Sequence, residues 1–415
     1  MAKKALRASK SRSSQPAFLH YGRQLIEDDD IESVVGALRG DFLTTGPLVE
    51  AFERRLASIV GASDAVACSS GTAALYLAAR ALQLGSGHTA IVPAITFAAT
   101  ASAPHLAGAE IVFADVDPET GLMRPSDLEE ALLRCPQGRA DAVFPVHYAG
   151  QACDMAAIAQ IARRSGLGIV EDAAHALGTA WTGPSNTLIP IGANSHSDLT
   201  IFSFHPVKTI AMGEGGAVSA TDPELARRLK RARNHGITRT ATEFVRAADA
   251  FDASGKANPW YYELKAPDFN FRVSDINCAL ALSQIKKLDR FVAARRRLVA
   301  CYDELLKPFA SVLNPLKRDP RSLTAWHIYP VKIEFAKVSR ERGPLMRALT
   351  KDGIGTQVHY MPLYRHPYYA ARYGAQVLPG AEAYYARTLS LPLHAGMSER
   401  DVKRVVGLLK QHLGL

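Results

Sequence analysis

The chain has 415 residues, of which 47% are hydrophobic and 21% are charged, which suits a globular protein large enough for two domains. Its net charge is +9, but +5 of that lies in residues 1–15, which contain no acid. Because the rest has no concentrated basic stripe, the charge does not predict nucleic-acid binding. No apolar stretch is long enough to span a bilayer, and the N-terminus has no apolar signal-peptide core. We therefore expect a disordered basic tail over residues 1–15 and no membrane partner.

The five cysteines are odd in number and widely spaced along the chain. They form no C-x-x-C pair, and no Cys/His grouping has the spacing of metal ligands. This pattern predicts small core residues in a reduced, cytoplasmic protein that has no metal site. The cysteines are Cys68, Cys135, Cys153, Cys278 and Cys301.

Between about residues 70 and 235, short apolar runs alternate with longer amphipathic ones. This alternation predicts an α/β fold in which helices cover both faces of a large, mostly parallel sheet. In such sheets ligands bind at the carboxyl ends of the strands, so candidate site residues belong there. The predicted strands are 90–93, 110–116, 141–147, 167–172, 199–204 and 216–220, and the predicted helices are 71–82, 125–135 and 154–166.

The second half of the chain predicts a smaller C-terminal α/β domain, which follows an irregular stretch over residues 236–262. Residues 273–307 predict one long helix, or two nearly continuous ones, with Ser274 as the N-cap. Two further helices are predicted near 339–352 and 398–412. The predicted bounds are 16–272 for the large domain and 273–415 for the connecting helix and small domain.

Three polar clusters fall at strand ends or helix starts of the predicted sheet. Gly71 and Thr72 open a helix whose first amides suit a phosphate, although such residues begin many helices. Asp172 ends a predicted buried strand, three residues before His175. The alternatives to a functional role are that Asp172 caps a helix and that His175 is an ordinary core histidine. Lys208 lies between a strand and a glycine cluster, which predicts an amine held near the core. Together these clusters fit pyridoxal 5′-phosphate (PLP), with Lys208 as the Schiff-base lysine.

Motifs in the same order along the chain carry a resemblance to a family. "EDAAHALG" (171–178), "FSFHPVKTIAMGEGGAV" (202–218), "FNFRVSDINCALALSQ" (269–284) and "GTQVHYMPLYRHPYY" (355–369) resemble the DegT-type nucleotide-sugar aminotransferases. The resemblance implies PLP fold type I, which is aspartate aminotransferase-like, and a homodimer with shared active sites.

Within this family the motifs are most similar to the pseudaminic-acid pathway aminotransferases. That similarity implies transfer of an amino group from L-glutamate, leaving 2-oxoglutarate, to C4 of a UDP-4-keto-6-deoxy-N-acetylhexosamine. The implied sugar is UDP-2-acetamido-2,6-dideoxy-β-L-arabino-hex-4-ulose. A 4-aminotransferase for another nucleotide-4-ketosugar, of the bacillosamine or perosamine type, is the alternative.

The resemblance also implies a role for each matching residue. Lys208 matches the lysine that binds the cofactor and moves a proton, Asp172 the acid at the pyridine nitrogen, and His175 the residue beside the ring hydroxyl. Phe97 matches the aromatic side chain that stacks on the cofactor ring. The implied phosphate ligands are Gly71, Thr72, Ser203 and, from the neighbouring subunit, Asn270. The implied nucleotide-sugar residues are Tyr21, Asp41, Phe42, Leu43, Thr44, Gln357, Val358, His359 and Tyr360.

Some positions depart from the family pattern. Ala211 and Met212 replace two threonines, Asp268 stands where a glycine is common, and residues 181–198 form a longer stretch than expected. These differences affect loops near the site, so they bear on substrate detail rather than on the chemistry.

Two rival enzyme classes are disfavoured by the sequence. A nicotinamide-dependent oxidoreductase needs a glycine-rich turn that leaves a strand, whereas "GEGGAV" (213–218) enters one. Sugar dehydratases within the same family carry histidine in place of the lysine, and Lys208 argues against them. A non-catalytic relative would have lost Lys208 or Asp172, and both are present.

Overall fold

The computed structural model describes residues 17–183 and 186–415, so the tail predicted for residues 1–15 lies outside the described chain. The described helices and strands alternate along the first half of the chain, as predicted. The helices are α1 (Asp28–Leu38), α2 (Pro47–Val60), α3 (Gly71–Ala81), α4 (Ala99–Leu106), α5 (Pro125–Arg134), α6 (Met155–Arg164), α7 (Pro223–Arg233), α8 (Ala247–Ala250), α9 (Asp275–Ile285), α10 (Leu288–Leu306), α11 (Arg342–Lys351), α12 (Pro367–Tyr373), α13 (Pro379–Arg387) and α14 (Glu399–Leu413). The strands are β1 (Asp64–Cys68), β2 (Thr89–Pro93), β3 (Glu110–Ala114), β4 (Ala142–Val143), β5 (Gly168–Asp172), β6 (Ala180–Thr182), β7 (Leu188–Pro190), β8 (Leu199–Ser203), β9 (Gly216–Ala220), β10 (Ile237–Thr238), β11 (Glu263–Leu264), β12 (Leu313–Pro315), β13 (Ser322–Leu323), β14 (Tyr329–Ile333) and β15 (Thr388–Leu391).

Seven strands form one large sheet in the order β1–β9–β8–β5–β4–β2–β3. Its strands pair in parallel from β8 to β3, and β9 alone runs antiparallel to both of its neighbours. Every residue of β2 is buried, as expected for a strand that is covered on both faces. The predicted α/β class with a large, mostly parallel sheet is confirmed. β5 and β8 are neighbours, and Asp172 pairs with Ile201, so their carboxyl ends lie side by side.

The second sheet is small and antiparallel, in the order β12–β14–β15. The apolar core is continuous from the large sheet, at Val92 and Phe113, to this small sheet, at Val331 and Leu391. The stretch over 181–198 contributes β6 and β7 to a third sheet with β13, which accounts for its length. In the part of the chain that the structure describes, no helix is long and apolar enough to cross a membrane.

One detail of the prediction agrees with the structure and two change. The pattern over 273–307 is two nearly continuous helices, α9 and α10, that break at Lys286 and Lys287, and Ser274 is the N-cap of α9, with its hydroxyl accepting from the Asn277 N–H at 3.1 Å. β1 was not predicted, because "DAVAC" is as short and alanine-rich as many helical segments. The strand predicted over 141–147 is limited to β4, and beyond it Val146 makes only an isolated bridge to Asp172.

Candidate active site

A cavity of about 710 Å³ opens at the carboxyl ends of β5 and β8, against the N-terminus of α3. This is the edge of the sheet where a parallel α/β fold places its ligands. The residues singled out from the sequence that line it are Tyr21, Gly71, Thr72, Phe97, Asp172, His175, Ser203, Lys208, Gln357, Val358, His359 and Tyr360.

Lys208 lies in a tight turn after β8, where its N–H donates to the His205 carbonyl at 2.8 Å. Its side chain lines the cavity, where it is half-buried and surrounded by protein atoms. This desolvation lowers the pKa of the Lys208 amine from 10.5 to about 8, because burial disfavours the charged form, and nearby Asp172 opposes the shift. The amine therefore exists partly in its neutral, nucleophilic form near neutral pH.

Asp172 is the last residue of β5, and its carboxylate is buried. One carboxylate oxygen accepts from the Thr100 hydroxyl at 2.7 Å, and the other accepts from the Ala174 N–H at 3.1 Å. Burial raises the pKa of Asp172, while these hydrogen bonds and the Lys208 charge oppose the rise. Both hydrogen-bond partners are uncharged, so the carboxylate is suited to a cationic N–H from a ligand in the cavity.

His175 is a buried, neutral histidine whose tautomer follows from its hydrogen bonds. Its Nδ1 accepts from the Ala149 N–H at 3.3 Å, so its proton lies on Nε2, 3.3 Å from the Tyr360 hydroxyl oxygen. Burial and the Lys208 charge hold the pKa of His175 well below its usual value. His175 therefore donates to Tyr360, and the Tyr360 hydroxyl hydrogen is left to point elsewhere.

The N-terminus of α3 forms another part of the cavity wall. The Ser70 hydroxyl caps this helix by accepting from the Ala73 N–H at 3.1 Å, which leaves the N–H groups of Gly71 and Thr72 ahead of the first helical bonds. Gly71 is required here, because a Cβ would lie 2.8 Å from the Cβ of Ser203. The two amides, the helix dipole and the Ser203 hydroxyl have the chemistry that could hold a phosphate group.

The segment Gln357–Tyr360 forms the wall of the cavity that the small sheet supports. Gln357 and Ser390 of β15 exchange backbone hydrogen bonds of 3.2 and 2.7 Å. The Ser390 hydroxyl lies 2.8 Å from His359 Nδ1, and the Tyr148 hydroxyl donates to the His359 carbonyl at 2.6 Å. Burial lowers the pKa of His359 to about 3, so this imidazole is neutral.

The run Asp41–Thr44 and Asn270 do not line the cavity of their own chain. In their own chain the Leu43 carbonyl accepts from the Asp275 N–H at 3.0 Å and Thr44 bridges to Ser274, whereas Asn270 bridges to Asn234. Residues 41–44 and Asn270 are all exposed. The cavity of a single chain therefore does not include the contacts predicted for these residues.

Several residues at the site were not found from the sequence. Thr100 of α4 holds the Asp172 carboxylate. Next to Asp172, the buried Glu171 carboxylate accepts from His147 Nε2 at 2.6 Å and from the Ser197 hydroxyl at 2.5 Å. Glu171 precedes Asp172 in the sequence. This pair of acids in a predicted buried strand was a visible signal, but a role was predicted only for Asp172.

His327 and Arg295 were also missed. His327 lines the cavity, and its ring centroid is 4.5 Å from that of His175. Arg295 is buried behind Lys208 and donates to its carbonyl at 3.1 Å. A sequence signal existed for Arg295, because it falls on the apolar stripe of α10 between Phe291 and Leu298, where a charged residue is unexpected.

The departures from the family pattern have local structural accounts. Met212 is fully buried, and its sulfur occupies the position that a Cβ on Gly215 would take. The Asp268 carboxylate accepts from Arg80 Nε of α3 at 3.2 Å. Neither residue lines the cavity.

One acidic cluster could offer metal ligands within the described chain, at Glu27, Asp29 and Asp30. The ammonium of Lys287 already contacts all three carboxylates, at 3.1, 2.6 and 2.9 Å respectively. These contacts neutralise part of the negative charge of the cluster. They form an ion-pair network that joins the start of α1 to the break before α10.

The chemistry of the cavity fits PLP. The cofactor has a phosphate for the α3 N-terminus, a ring nitrogen whose protonated form suits Asp172, and an aldehyde for the Lys208 amine. When bound, PLP supplies the electron sink for reactions at the carbon that bears the amino group. The fold and this set of side chains define a PLP-dependent enzyme of fold type I.

Comparison with known proteins agrees with this class. Residues 24–410 match the DegT/DnrJ/EryC1/StrS aminotransferase family, and the chain belongs to that family. It is 37% identical to the spore coat polysaccharide biosynthesis protein SpsC of Bacillus subtilis, over 94% of this chain and 95% of that protein.

Two solved structures are also similar. Helicobacter pylori PseC, an aminotransferase involved in the biosynthesis of pseudaminic acid, superposes with a TM-score of 0.83 and 27% identity, over 96% of this chain and 99% of that one. Streptococcus pneumoniae Spr1654, described as a sugar aminotransferase and solved in its PLP form, gives a TM-score of 0.82 and 28% identity, over 96% and 99% of the two chains. The protein is therefore a sugar aminotransferase that uses PLP.

Proposed function

We propose that the protein transfers the amino group of L-glutamate to C4 of a UDP-4-keto-6-deoxy-N-acetylhexosamine and releases 2-oxoglutarate. The proposed sugar is UDP-2-acetamido-2,6-dideoxy-β-L-arabino-hex-4-ulose, and the reaction is a step in pseudaminic acid biosynthesis. The observation that carries the proposal is the single cavity in which Lys208 and Asp172 face the segment Gln357–Tyr360. Similarity to PseC along almost the whole chain supports this choice of sugar.

In this proposal the Lys208 amine would hold PLP and would also be the group that moves a proton at the reacting carbon. Its pKa of about 8 in the cofactor-free structure suits a group that both takes up and returns a proton near neutral pH. Asp172 would bind the protonated ring nitrogen, and Phe97 would pack against the ring. His175 would lie beside the ring hydroxyl, and its low pKa keeps it a neutral hydrogen-bonding group.

We also propose that the active unit is a homodimer with shared sites. Phe42 and Leu43, within Asp41–Thr44, are 56% and 49% exposed, and Phe269, next to Asn270, is 59% exposed. A second subunit that covers these side chains would remove apolar area from water. In a two-fold dimer the same contact would bring Asn270 to the partner's phosphate site and Asp41–Thr44 to its substrate.

The cysteines support a reducing, cytoplasmic location. All five are free, and four of them are buried. Burial raises the pKa of Cys68 to about 12 and that of Cys135 to about 11, so these thiols are poor nucleophiles at neutral pH.

A second substrate deserves the same test because of the similarity to SpsC, a spore coat polysaccharide protein that is more identical to this chain than PseC is. The second candidate is another nucleotide-4-ketosugar, of the bacillosamine or perosamine type, and the name of SpsC does not say which sugar it acts on. The chemistry at Lys208 and Asp172 would be the same in either case.

The test is a substrate panel with glutamate as the amino donor. We expect the highest kcat/KM with the UDP-β-L-arabino-4-ketosugar, and lower values with its C5 epimer and with GDP-linked 4-keto-6-deoxysugars. Products are identified by mass and by NMR, which locates the new amine on the sugar ring. A higher kcat/KM for the C5 epimer or for a GDP sugar would replace the proposed substrate with the alternative.

A further inference from the structure

Arg295 of α10 is among the largest fully buried side chains of the protein, at 2% exposure. Its hydrogen-bond acceptors within the described chain are three main-chain carbonyls. Nη1 donates to His327 at 2.9 Å and to Leu393 at 3.1 Å, and Nη2 donates to Lys208 at 3.1 Å. A single guanidinium therefore joins three segments that are distant in sequence.

Each of these three segments builds a different part of the active site. Lys208 carries the amine itself. The His327 N–H donates to the Ala149 carbonyl at 3.0 Å, and the His327 ring packs against His175 beside the cavity. The Leu393 N–H donates to the Tyr21 carbonyl at 2.9 Å, and Tyr21 lines the cavity mouth.

Core stability does not explain a guanidinium at this position. Burial lowers the pKa of Arg295 to about 10, which reflects the unfavourable removal of its charge from water. A well-packed apolar side chain of similar volume would avoid that penalty. The guanidinium differs from any apolar side chain, and from lysine, in its planar fork of donors that can bind several carbonyls at once.

We propose that Arg295 is a positioning residue of the active site, which fixes Lys208, the His327–His175 pair and the Tyr21 segment relative to one another. It does not line the cavity and acts through the three carbonyls. The inference rests on the proposed role of Lys208. Because a misplacement of about 1 Å at a reacting group lowers a rate by about 100-fold, loss of this contact should lower kcat rather than weaken substrate binding.

The experiment compares Arg295→Met and Arg295→Lys with Arg296→Met. Arg296 is a matched control, since it is the next residue of α10 and its guanidinium also donates to carbonyls, those of Thr324 at 2.8 Å and Leu323 at 2.9 Å. The reaction measured is the half-reaction of the PLP enzyme with glutamate, followed by cofactor absorbance, which needs no sugar. For this half-reaction, kcat denotes the rate constant at saturating glutamate, and KM denotes the glutamate concentration that gives half of that rate constant. A pH titration of the absorbance of the lysine-bound cofactor is the second readout, and circular dichroism verifies folding.

We expect Arg295→Met to lower kcat of the half-reaction about 100-fold, with KM for glutamate changed less than about threefold and a displaced titration midpoint. Arg295→Lys keeps the charge but not the fork, and should lose at least about tenfold in kcat. Arg296→Met should stay within about threefold of wild type in both readouts.

Wild-type kcat and titration in Arg295→Lys, or in a folded Arg295→Met, would overturn the proposal even if the melting temperature fell. Equal losses in Arg296→Met would overturn it as well, because they would show a general effect of altering α10. If Arg295→Met does not fold, Arg295→Lys decides the question. A wild-type enzyme that fails to react with glutamate would instead contradict the proposed function.

Discussion

The rate at which apo-protein attaches PLP should titrate with a midpoint near pH 8, because only the neutral amine of Lys208 attacks the aldehyde. Burial lowers its pKa from 10.5 to about 8. At pH 7 about 10% of this amine is neutral, against about 0.03% of an ordinary lysine, which is a ratio of about 300. Attachment at pH 7 should therefore be about 300-fold faster than an unperturbed pKa would allow.

The assay mixes apo-protein with PLP in a stopped-flow instrument over about pH 6 to 11 and follows the absorbance of the covalent adduct. Free lysine acetylated on its α-amine has a side-chain amine of ordinary pKa, and its rate corrects for titration of PLP itself. The Lys208→Ala protein gives the background rate. The rate should rise about tenfold per pH unit and level off near pH 8. A rise that continues to about pH 10.5 would refute a desolvated amine at this position.

The same pH titration of PLP attachment on Asp172→Asn tests the electrostatic effect of Asp172 on Lys208. The Asp172 charge raises the pKa of Lys208, so its removal should move the midpoint below that of the wild type. The same variant should lose most of the glutamate half-reaction while its melting temperature changes little. A mere helix cap would show the opposite pattern, with about 1 kcal/mol lost from the free energy of unfolding and near-normal turnover.

The depressed pKa of Lys208 also has a consequence for stability. Since the folded-state value is below the unfolded value, the unfolded chain binds more protons between about pH 8 and 10.5, and the free energy of unfolding of the apo-protein rises with pH across that window. Below pH 8 the buried amine is a constant penalty of the order of 3 kcal/mol at most. Lys208→Met should therefore stabilise the apo-protein at pH 7 in urea titrations, and an unchanged or lowered stability would contradict the burial.

Two further predictions concern the N-terminus of α3, where Gly71 contacts Ser203, and the proposed dimer. Gly71→Ala should weaken PLP binding and lower the free energy of unfolding by about 1–3 kcal/mol, because its Cβ would meet Ser203, whereas Gly407→Ala, in an open position of α14, should stabilise the fold by up to about 1 kcal/mol. Equal effects of the two substitutions in urea titrations would contradict the close contact. If Asn270→Ala alone is severely impaired, mixing that variant with inactive Lys208→Ala chains should restore up to about a quarter of wild-type activity through hybrid dimers. No recovery despite proven subunit exchange would place Asn270 in the site of its own chain.

The sequence predicts the fold well where local patterns decide it. The alternation between 70 and 235 indicates the parallel sheet. Asp172 ends one of the strands that the pattern identifies, and Lys208 follows another. The short strand β1 was missed because its sequence has no alternation and its partner, β9, lies more than 140 residues away along the chain.

The supporting residues of the site could not be predicted in the same way, because tertiary contacts bring them together. Arg295, Arg296 and Arg297 are identical in type and adjacent in sequence. The first is buried behind Lys208, the second is part-buried against the end of β13, and the third pairs with Glu399 at 3.9 Å, with its side chain 62% exposed. Only the helical period of α10 separates these environments, and only the structure shows which carbonyls the buried guanidinium meets.

The most direct test of the central claim is borohydride reduction of the PLP-loaded protein followed by mass analysis of its peptides. Reduction fixes the cofactor to the amine that holds it. The expected result is one cofactor per chain, on the peptide that contains Lys208, and no fixation in Lys208→Ala. Stoichiometric fixation on another lysine, or undiminished fixation in Lys208→Ala, would contradict the assignment of Lys208.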